Sequence, residues 1–191
     1  MVNYLELRRQ LFHALLGVVI VLGVIYGLLT VKRLLLIFIF GVVLSGVSIG
    51  FRIPVISWFL DNFDRKDEKM PGKGAMFFVL GSLSVLAFFP LNIALAAIMV
   101  LALGDSLATL VGLHLGRIRS VSMKSMEGFF AGVVAAFIGA LFFVDYLSAL
   151  AGSLAAMCFE LLEIKFGSRV VDDNVMVPLT AAFVMWLVTL L

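Results

Sequence analysis

The sequence is poor in charge and in cysteine, and each scarcity excludes a class of protein. Charged residues make up 14% of the 191 positions, against about a quarter in a typical soluble domain. The formal net charge of +2 is too small to indicate a nucleic-acid partner. The single cysteine, Cys158, excludes an intrachain disulfide. Its apolar neighbours predict a packing role within a helix.

Apolar residues dominate instead, at 63% of the sequence with a mean hydropathy of +1.20. A chain of this length cannot hide so much apolar surface in its own core, so lipid must cover it. A helix needs about 20 apolar residues to cross a bilayer. The suitable runs are 10–29, 34–51, 75–89, 91–113, 127–144, 147–163 and 175–191. We therefore predict one all-α domain over residues 1–191, a polytopic bundle of about seven transmembrane helices.

The distribution of basic residues predicts the orientation of this bundle. With a cytoplasmic N-terminus, only Lys32 and Arg33 of the 14 Lys and Arg residues lie outside. Basic loops of membrane proteins remain on the cytoplasmic side. The same topology leaves Asp145 as the one acidic residue outside. We therefore expect the N-terminus inside, the C-terminus outside, and a functional face in the cell membrane that is directed toward the cytoplasm.

Two further segments bear on this topology. The first apolar run follows Arg8 and Arg9 without a small-residue cleavage site, so we expect a retained helix rather than a cleavable signal. The longest loop is 52–74. Its beginning, 53–60, predicts a short interfacial helix anchored by Trp58.

Three ionisable residues fall inside or at the edge of predicted spans: His13, Asp105 and Glu160. Such groups are costly in a membrane and usually functional. For Asp105 we favour a metal or phosphate role over a carboxylate that only holds helices together. For His13, packing or an interfacial position is the commoner role. Glu160 could orient Asp105 or bind a metal, and Glu163, one turn later, could exchange roles with it.

Two basic segments at predicted helix starts are candidates for anion binding. Lys124 and Ser125 precede a helix that begins near Glu127 and Gly128, and a helix start offers free N–H groups to a phosphate. The segment 71–74, Pro-Gly-Lys-Gly, opens another span, and glycines around a lysine can wrap a phosphate. An ordinary basic loop with a serine N-cap explains the first segment equally well. A flexible loop explains the second, which lacks the spacing of a Walker motif.

Asp172, Asp173 and Asn174 lie just before the last span. Two adjacent carboxylates can hold Mg²⁺, a hard cation that prefers oxygen ligands. They could equally cap the helix and favour its dipole. Because all these candidates fall on one predicted side of the membrane, together they indicate a site for a metal and a polyphosphate next to lipid.

Four blocks of the sequence resemble the CTP-dependent polyprenol, dolichol, phytol and diacylglycerol kinases, which are small polytopic membrane enzymes. The blocks are 6–17, 63–75, 104–128 and 172–179, and they extend over nearly the whole chain. The third block is shared with membrane cytidylyltransferases, so it implies CTP more firmly than kinase chemistry. The first and fourth blocks separate the two classes. The family's acidic residue near the end of the sixth span matches Glu160 better than Glu163.

The resemblance implies Mg²⁺-dependent transfer of the γ-phosphoryl group of CTP to a membrane lipid alcohol, such as a polyprenol, dolichol, geranylgeraniol, phytol or diacylglycerol. Such transfer depends mostly on positioning and charge neutralisation. The catalytic residues implied are Asp105, His13 and Lys124, with His13 or Asp105 as the general base. The metal ligands implied are Asp105, Asp172, Asp173 and Glu160. The nucleotide contacts implied are Lys73, Gly74, Lys124, Ser125, Glu127, Gly128 and Asn174.

Other classes stay open. A cytidylyltransferase would use the same CTP to make a CDP-lipid and pyrophosphate. A small transporter would need polar groups through the bilayer, whereas the outer half of this chain is nearly bare. The lipid and the nucleotide stay open, and so does the oligomeric state. Gly128, Gly132 and Gly139 could pack within one subunit or between two.

Overall fold

The computed structural model describes residues 4–64, 70–118, 124–162, 165–166, 169–170 and 172–191. Its helices, within these ranges, are α1 (Tyr4–Ile25), α2 (Val31–Gly50), α3 (Pro54–Phe63), α4 (Lys73–Phe88), α5 (Leu91–Met99), a π-helical segment (Val100–Asp105), α6 (Ser106–Leu115), α7 (Met126–Ala140), α8 (Tyr146–Leu162) and α9 (Asp173–Val188). One short antiparallel hairpin, β1 (Lys165–Phe166) with β2 (Arg169–Val170), joins α8 to α9. The predicted all-α class is confirmed apart from this hairpin.

The apolar helices match the predicted runs. Among the described residues, three helical stretches are long and apolar enough to cross a membrane: α1, α2 and Leu91–Leu115. Four shorter apolar helices, α4, α7, α8 and α9, occupy the remaining runs. Every predicted run therefore forms a helix, while the number of about seven crossings and the orientation of the termini stay predictions.

The first helix begins earlier than the hydropathy of its sequence indicates. It starts at Tyr4 rather than near residue 10, because its early polar side chains satisfy one another. Arg9 forms an ion pair with Glu6, and Gln10 Nε2 donates a hydrogen bond of 2.9 Å to Glu6 Oε1. Glu6 and Gln10 are consequently buried. The predicted segment at 53–60 is helical as α3, with Pro54 in its first turn.

The core lies around the stretch Leu91–Leu115, in which 67% of an apolar 18-residue window is buried. This stretch contacts α1, α4, α7, α8 and α9, and α9 also packs against α4 and α8. Small side chains let these helices approach closely. Gly81 of α4 is the clearest case, since a Cβ at this position would lie 2.1 Å from the carbonyl oxygen of Asn174. This contact fixes the start of α9, where the polar residues lie.

Candidate functional site

A lysine and three carboxylates from distant parts of the chain meet at one end of the helices. Lys124 Nζ lies 2.9 Å from Asp173 Oδ2 and 3.5 Å from Glu160 Oε1. Asp105 interacts electrostatically with both Asp173 and Lys124. We call Asp105, Lys124, Glu160 and Asp173 the polar cluster. It brings together residues that the sequence separates by up to 68 positions, from Asp105 to Asp173.

The π-helical segment places Asp105 in the polar cluster. Asp105 is its last residue and is half-buried. Short π-helical insertions often occur at functional sites, where they redirect a side chain. Gly104, next to it, leaves little room for a side chain, because a Cβ would lie 3.0 Å from Ala136 Cβ and 3.1 Å from Met157 Cε. The bare backbone therefore allows α7 and α8 to pack closely beside Asp105.

The charge of Lys124 is stabilised by its neighbours. Burial lowers the pKa of Lys124, but the carboxylates of Glu160 and Asp173 more than offset this and raise the pKa above its ordinary value. Lys124 is therefore an ammonium group at neutral pH. The cluster holds three carboxyl groups and one lysine, so ionisation of all three together would require a second cation beside Lys124.

A second ion pair joins the start of α4 to the start of α9. Lys73 Nζ lies 3.5 Å from Asp172 Oδ2. Gly72, before Lys73, has a φ of +71° that favours glycine, and its N–H donates a hydrogen bond of 2.7 Å to Asp64 Oδ2. Asp172 also caps α9, since its Oδ1 accepts hydrogen bonds from the backbone N–H and the Nδ2 of Asn174. Of the two interpretations for this segment, capping is confirmed for Asp172.

The start of α7 is capped by Ser125 and is bonded to the residues just after α6. Ser125 is the N-cap, and its Oγ accepts a hydrogen bond of 3.0 Å from the backbone N–H of Gly128. The Glu127 carboxylate accepts hydrogen bonds from the backbone N–H groups of Arg117 and Ile118. The serine N-cap interpretation is thus confirmed. Nucleotide binding by these three residues stays a prediction.

His13 lies beside the start of α4 and against Phe78. Its ring centroid is 5.5 Å from that of Phe78, and a Cβ on Gly74 would lie 3.4 Å from His13 Nε2. His13 and Gly74 line a small cavity of about 30 Å³ that also includes Arg9 and Asp64. These contacts fit a packing position for His13, and its catalytic role stays a prediction. Glu163, the alternative to Glu160, lies outside the described residues.

Three polar residues of α1 were not predicted as part of the site: Glu6, Arg9 and Gln10. Ser106 Oγ donates a hydrogen bond of 3.1 Å to the carbonyl oxygen of Gln10, which ties α1 to the residue that follows Asp105. Arg9 and Glu6 both interact electrostatically with Asp105. The signal in the sequence was the spacing of Glu6, Gln10 and His13, which places them on one helical face.

A larger cavity of about 220 Å³ opens beside the polar cluster, between α6, α7 and α8. Its polar wall includes Lys124, Ser125 and Glu160. Glu160 is 5% exposed, and its Oε2 has no hydrogen-bond partner among the described residues. A buried carboxylate oxygen of this kind is expensive unless a ligand donates to it.

The residues predicted to bind a metal fit Mg²⁺ in their chemistry, since Asp105, Asp173 and Glu160 offer carboxylate oxygens. Within the described part of the chain, however, no three His, Cys, Asp or Glu side chains are grouped closely enough to hold a metal ion. The ammonium of Lys124 lies between two of these carboxylates. Asp172 is directed to Lys73 instead.

Comparisons with known proteins identify a family and a relative whose activity is described. The chain is 30% identical over 182 residues to an uncharacterized protein of Methanocaldococcus jannaschii, which covers 94% of this chain and 92% of that protein. This chain therefore belongs to the same family as the Methanocaldococcus protein. A phytol kinase of Synechocystis is 32% identical over 161 residues, which cover 76% of this chain and 65% of the enzyme. No family profile matches the sequence, and no solved structure matches it.

Proposed function

We propose that this protein is a membrane lipid-alcohol kinase. In this proposal it transfers the γ-phosphoryl group of CTP to the hydroxyl of a polyprenol, dolichol, geranylgeraniol, phytol or diacylglycerol, at the cytoplasmic face of the cell membrane. The observation that carries the proposal is the meeting of Asp105, Lys124, Glu160 and Asp173 at one end of a set of apolar helices. The distant phytol kinase relative supports the same class of reaction.

The charges of the site suit a nucleoside triphosphate. Phosphoryl transfer requires cations on the phosphates and little covalent chemistry from the protein. Lys124 would bind the β- and γ-phosphates, and Lys73, near Asp172, would contact the same chain of phosphates. Bound Mg²⁺ would supply further charge neutralisation, with Asp105 and Asp173 as the residues that hold it. Asn174 is a candidate contact for the base or ribose, because its buried Oδ1 has no partner among the described residues.

The membrane arrangement follows from the apolar surface. Large apolar side chains of α1 and α2, such as Leu15 and Phe40, are more than half exposed, and lipid would cover them. In the proposed topology of about seven crossings, the polar cluster lies at the cytoplasmic ends of the helices. A lipid alcohol would then reach the site with its hydroxyl at the membrane edge.

A substrate panel tests this proposal. Purified protein would be incubated with Mg²⁺ and each of four nucleoside triphosphates, combined with each of four lipid alcohols, and the lipid products identified by mass spectrometry. We expect a lipid monophosphate, with CTP as the best donor. A CDP-lipid would instead identify a cytidylyltransferase. No lipid product from any of these pairs would contradict the proposal and favour a non-enzymatic role such as transport.

A further inference from the structure

The cavity beside the polar cluster has two chemically different walls. One wall carries Lys124, Ser125 and Glu160. Most of the remaining lining is apolar: Ala108, Leu113, Phe129, Met157 and Leu161. Leu113 is also 50% exposed, so it lies at the mouth of the cavity. Leu115 of the same helix is 66% exposed, so the outer surface of α6 next to the mouth carries further apolar area.

This arrangement suits an amphiphile with a small polar head. Buried apolar walls favour a hydrocarbon chain, and the unpartnered Glu160 Oε2 favours a hydrogen-bond donor at the polar end. A nucleotide base has several polar edge atoms. Outside the polar wall, Thr109 is the lining residue whose side-chain hydroxyl could form a hydrogen bond with these atoms. The cavity therefore suits an alcohol with a hydrocarbon chain better than a base.

We propose that this cavity binds the lipid substrate. The hydroxyl donates a hydrogen bond to Glu160 Oε2, and the first part of the hydrocarbon chain lies along Leu113, Phe129 and Met157. The rest of the chain leaves past Leu113 into the bilayer. This inference rests on the proposed lipid-alcohol kinase and assigns the binding site of its acceptor. It also places the hydroxyl next to Lys124, which lies 3.5 Å from Glu160 Oε1.

Photo-crosslinking tests the site without requiring catalysis. The full chain, purified in lipid nanodiscs without nucleotide, would be exposed to a geranylgeraniol analogue with a diazirine on the carbons nearest the hydroxyl. We expect labelled peptides that contain Leu113, Phe129 or Met157. Unlabelled geranylgeraniol should compete with the label, and a hydrocarbon of the same length should compete far less.

Two pairs of variants sharpen this test. Leu113→Trp fills the mouth and should lower labelling about ten-fold, the loss expected from no longer burying roughly two methylene groups. Leu107→Trp, a control on the same helix that is 40% exposed and not part of the cavity lining, should label like the wild type. Glu160→Gln keeps a hydrogen-bond acceptor and should keep the preference for the alcohol over the hydrocarbon. Glu160→Leu should lose that preference.

Labelling that maps to other peptides, or labelling that Leu113→Trp leaves unchanged, would overturn this inference. Labelling that CTP displaces as well as the unlabelled alcohol does would also overturn it, because the cavity would then be a nucleotide site. These outcomes are distinct from failure of the proposed function. A protein labelled as expected that transfers no phosphoryl group would refute the kinase and leave the lipid site. An active kinase labelled elsewhere would refute the lipid site alone.

Discussion

Two lysines each face one of two adjacent carboxylates, yet their surroundings differ. Lys124 lies 2.9 Å from Asp173 and is also held by Glu160, and together these carboxylates raise its pKa. Lys73 lies 3.5 Å from Asp172, and its ammonium is 5.7 Å from the centroid of the Phe77 ring. Asp172 also caps α9. The two neighbouring aspartates thus differ in role, since Asp172 caps a helix start and Asp173 supplies negative charge beside Lys124.

The largest difference in activity is expected between the two variants that each lose one of these lysines. We expect Lys124→Ala to lower kcat/KM about 1,000-fold, because in the proposed function it removes the cation that would face the transferred phosphoryl group. Lys73→Ala should lower kcat/KM only about ten-fold, through a weaker contact with the phosphates. Steady-state kinetics with CTP and a lipid alcohol would measure both, after gel filtration shows that each variant is folded. An equal loss in the two variants would remove the functional difference between the lysines.

Substitution of Asp173 should mainly lower activity, whereas substitution of Asp172 should mainly lower stability. Asp173→Ala should lower kcat/KM about 100-fold with little change in thermal stability. Asp172→Ala should destabilise the protein by about 1 kcal/mol, the usual cost of losing an N-cap, with a smaller loss of activity. Thermal unfolding in detergent and kinetics on the same samples would compare them. The division of tasks is wrong if Asp172→Ala is the less active of the two.

The position of α9 should depend on the packing of Gly81. A Cβ there would collide with the carbonyl oxygen of Asn174, so Gly81→Ala should cost about 2 kcal/mol of stability and weaken both lysine pairs at once. Gly46 of α2 is the matched control, because nothing lies within 4 Å of a Cβ there. Gly46→Ala should leave the melting temperature unchanged or raise it slightly. Equal melting temperatures for the two variants would contradict the close packing of α4 on α9.

The smallest effect should appear in the pH dependence of the Lys124 contacts. The raised pKa of Lys124 means that the folded protein holds this proton more tightly than the unfolded chain. Its contribution to stability is therefore complete below the ordinary value of 10.5 and is lost as the pH rises through the higher folded value. The stability that the wild type gains over Lys124→Met, measured as the difference in melting temperature, should show no decline from about pH 7 to 10. A difference that already declines near pH 8 would show that the lysine lacks its carboxylate partners.

Hydropathy predicted where the helices are but not where they lie in the fold. The α2 helix and the stretch Leu91–Leu115 each contain an 18-residue apolar window, with mean hydropathies of 2.2 and 2.1. Yet 11% of the first window and 67% of the second are buried. Apolar residues suit lipid and protein interiors alike, so their pattern in one sequence does not separate the two. The sequence feature that could have indicated burial in protein is the presence of small residues such as Ala96 and Ala97, both of which are fully buried.

The isolated charges were the easiest part of the site to predict. Asp105 and Glu160 stand alone in apolar runs, which made them conspicuous. Glu6 and Arg9 were missed because they precede an apolar run and look like an ordinary solvated helix start. The π-helical segment could not be predicted, since it depends on how α7 and α8 pack around Gly104. Which lysine pairs with which aspartate likewise depends on the tertiary fold.

The most direct measurement compares two forms of radiolabelled CTP in the same reaction. One form carries ³²P in the γ-phosphate and the other in the α-phosphate, and each is incubated with the protein, Mg²⁺ and a long-chain prenol. A lipid-alcohol kinase should transfer only the γ label to the lipid and release CDP. Transfer of the α label, with release of pyrophosphate, would contradict phosphoryl transfer and assign the polar cluster to a cytidylyltransferase.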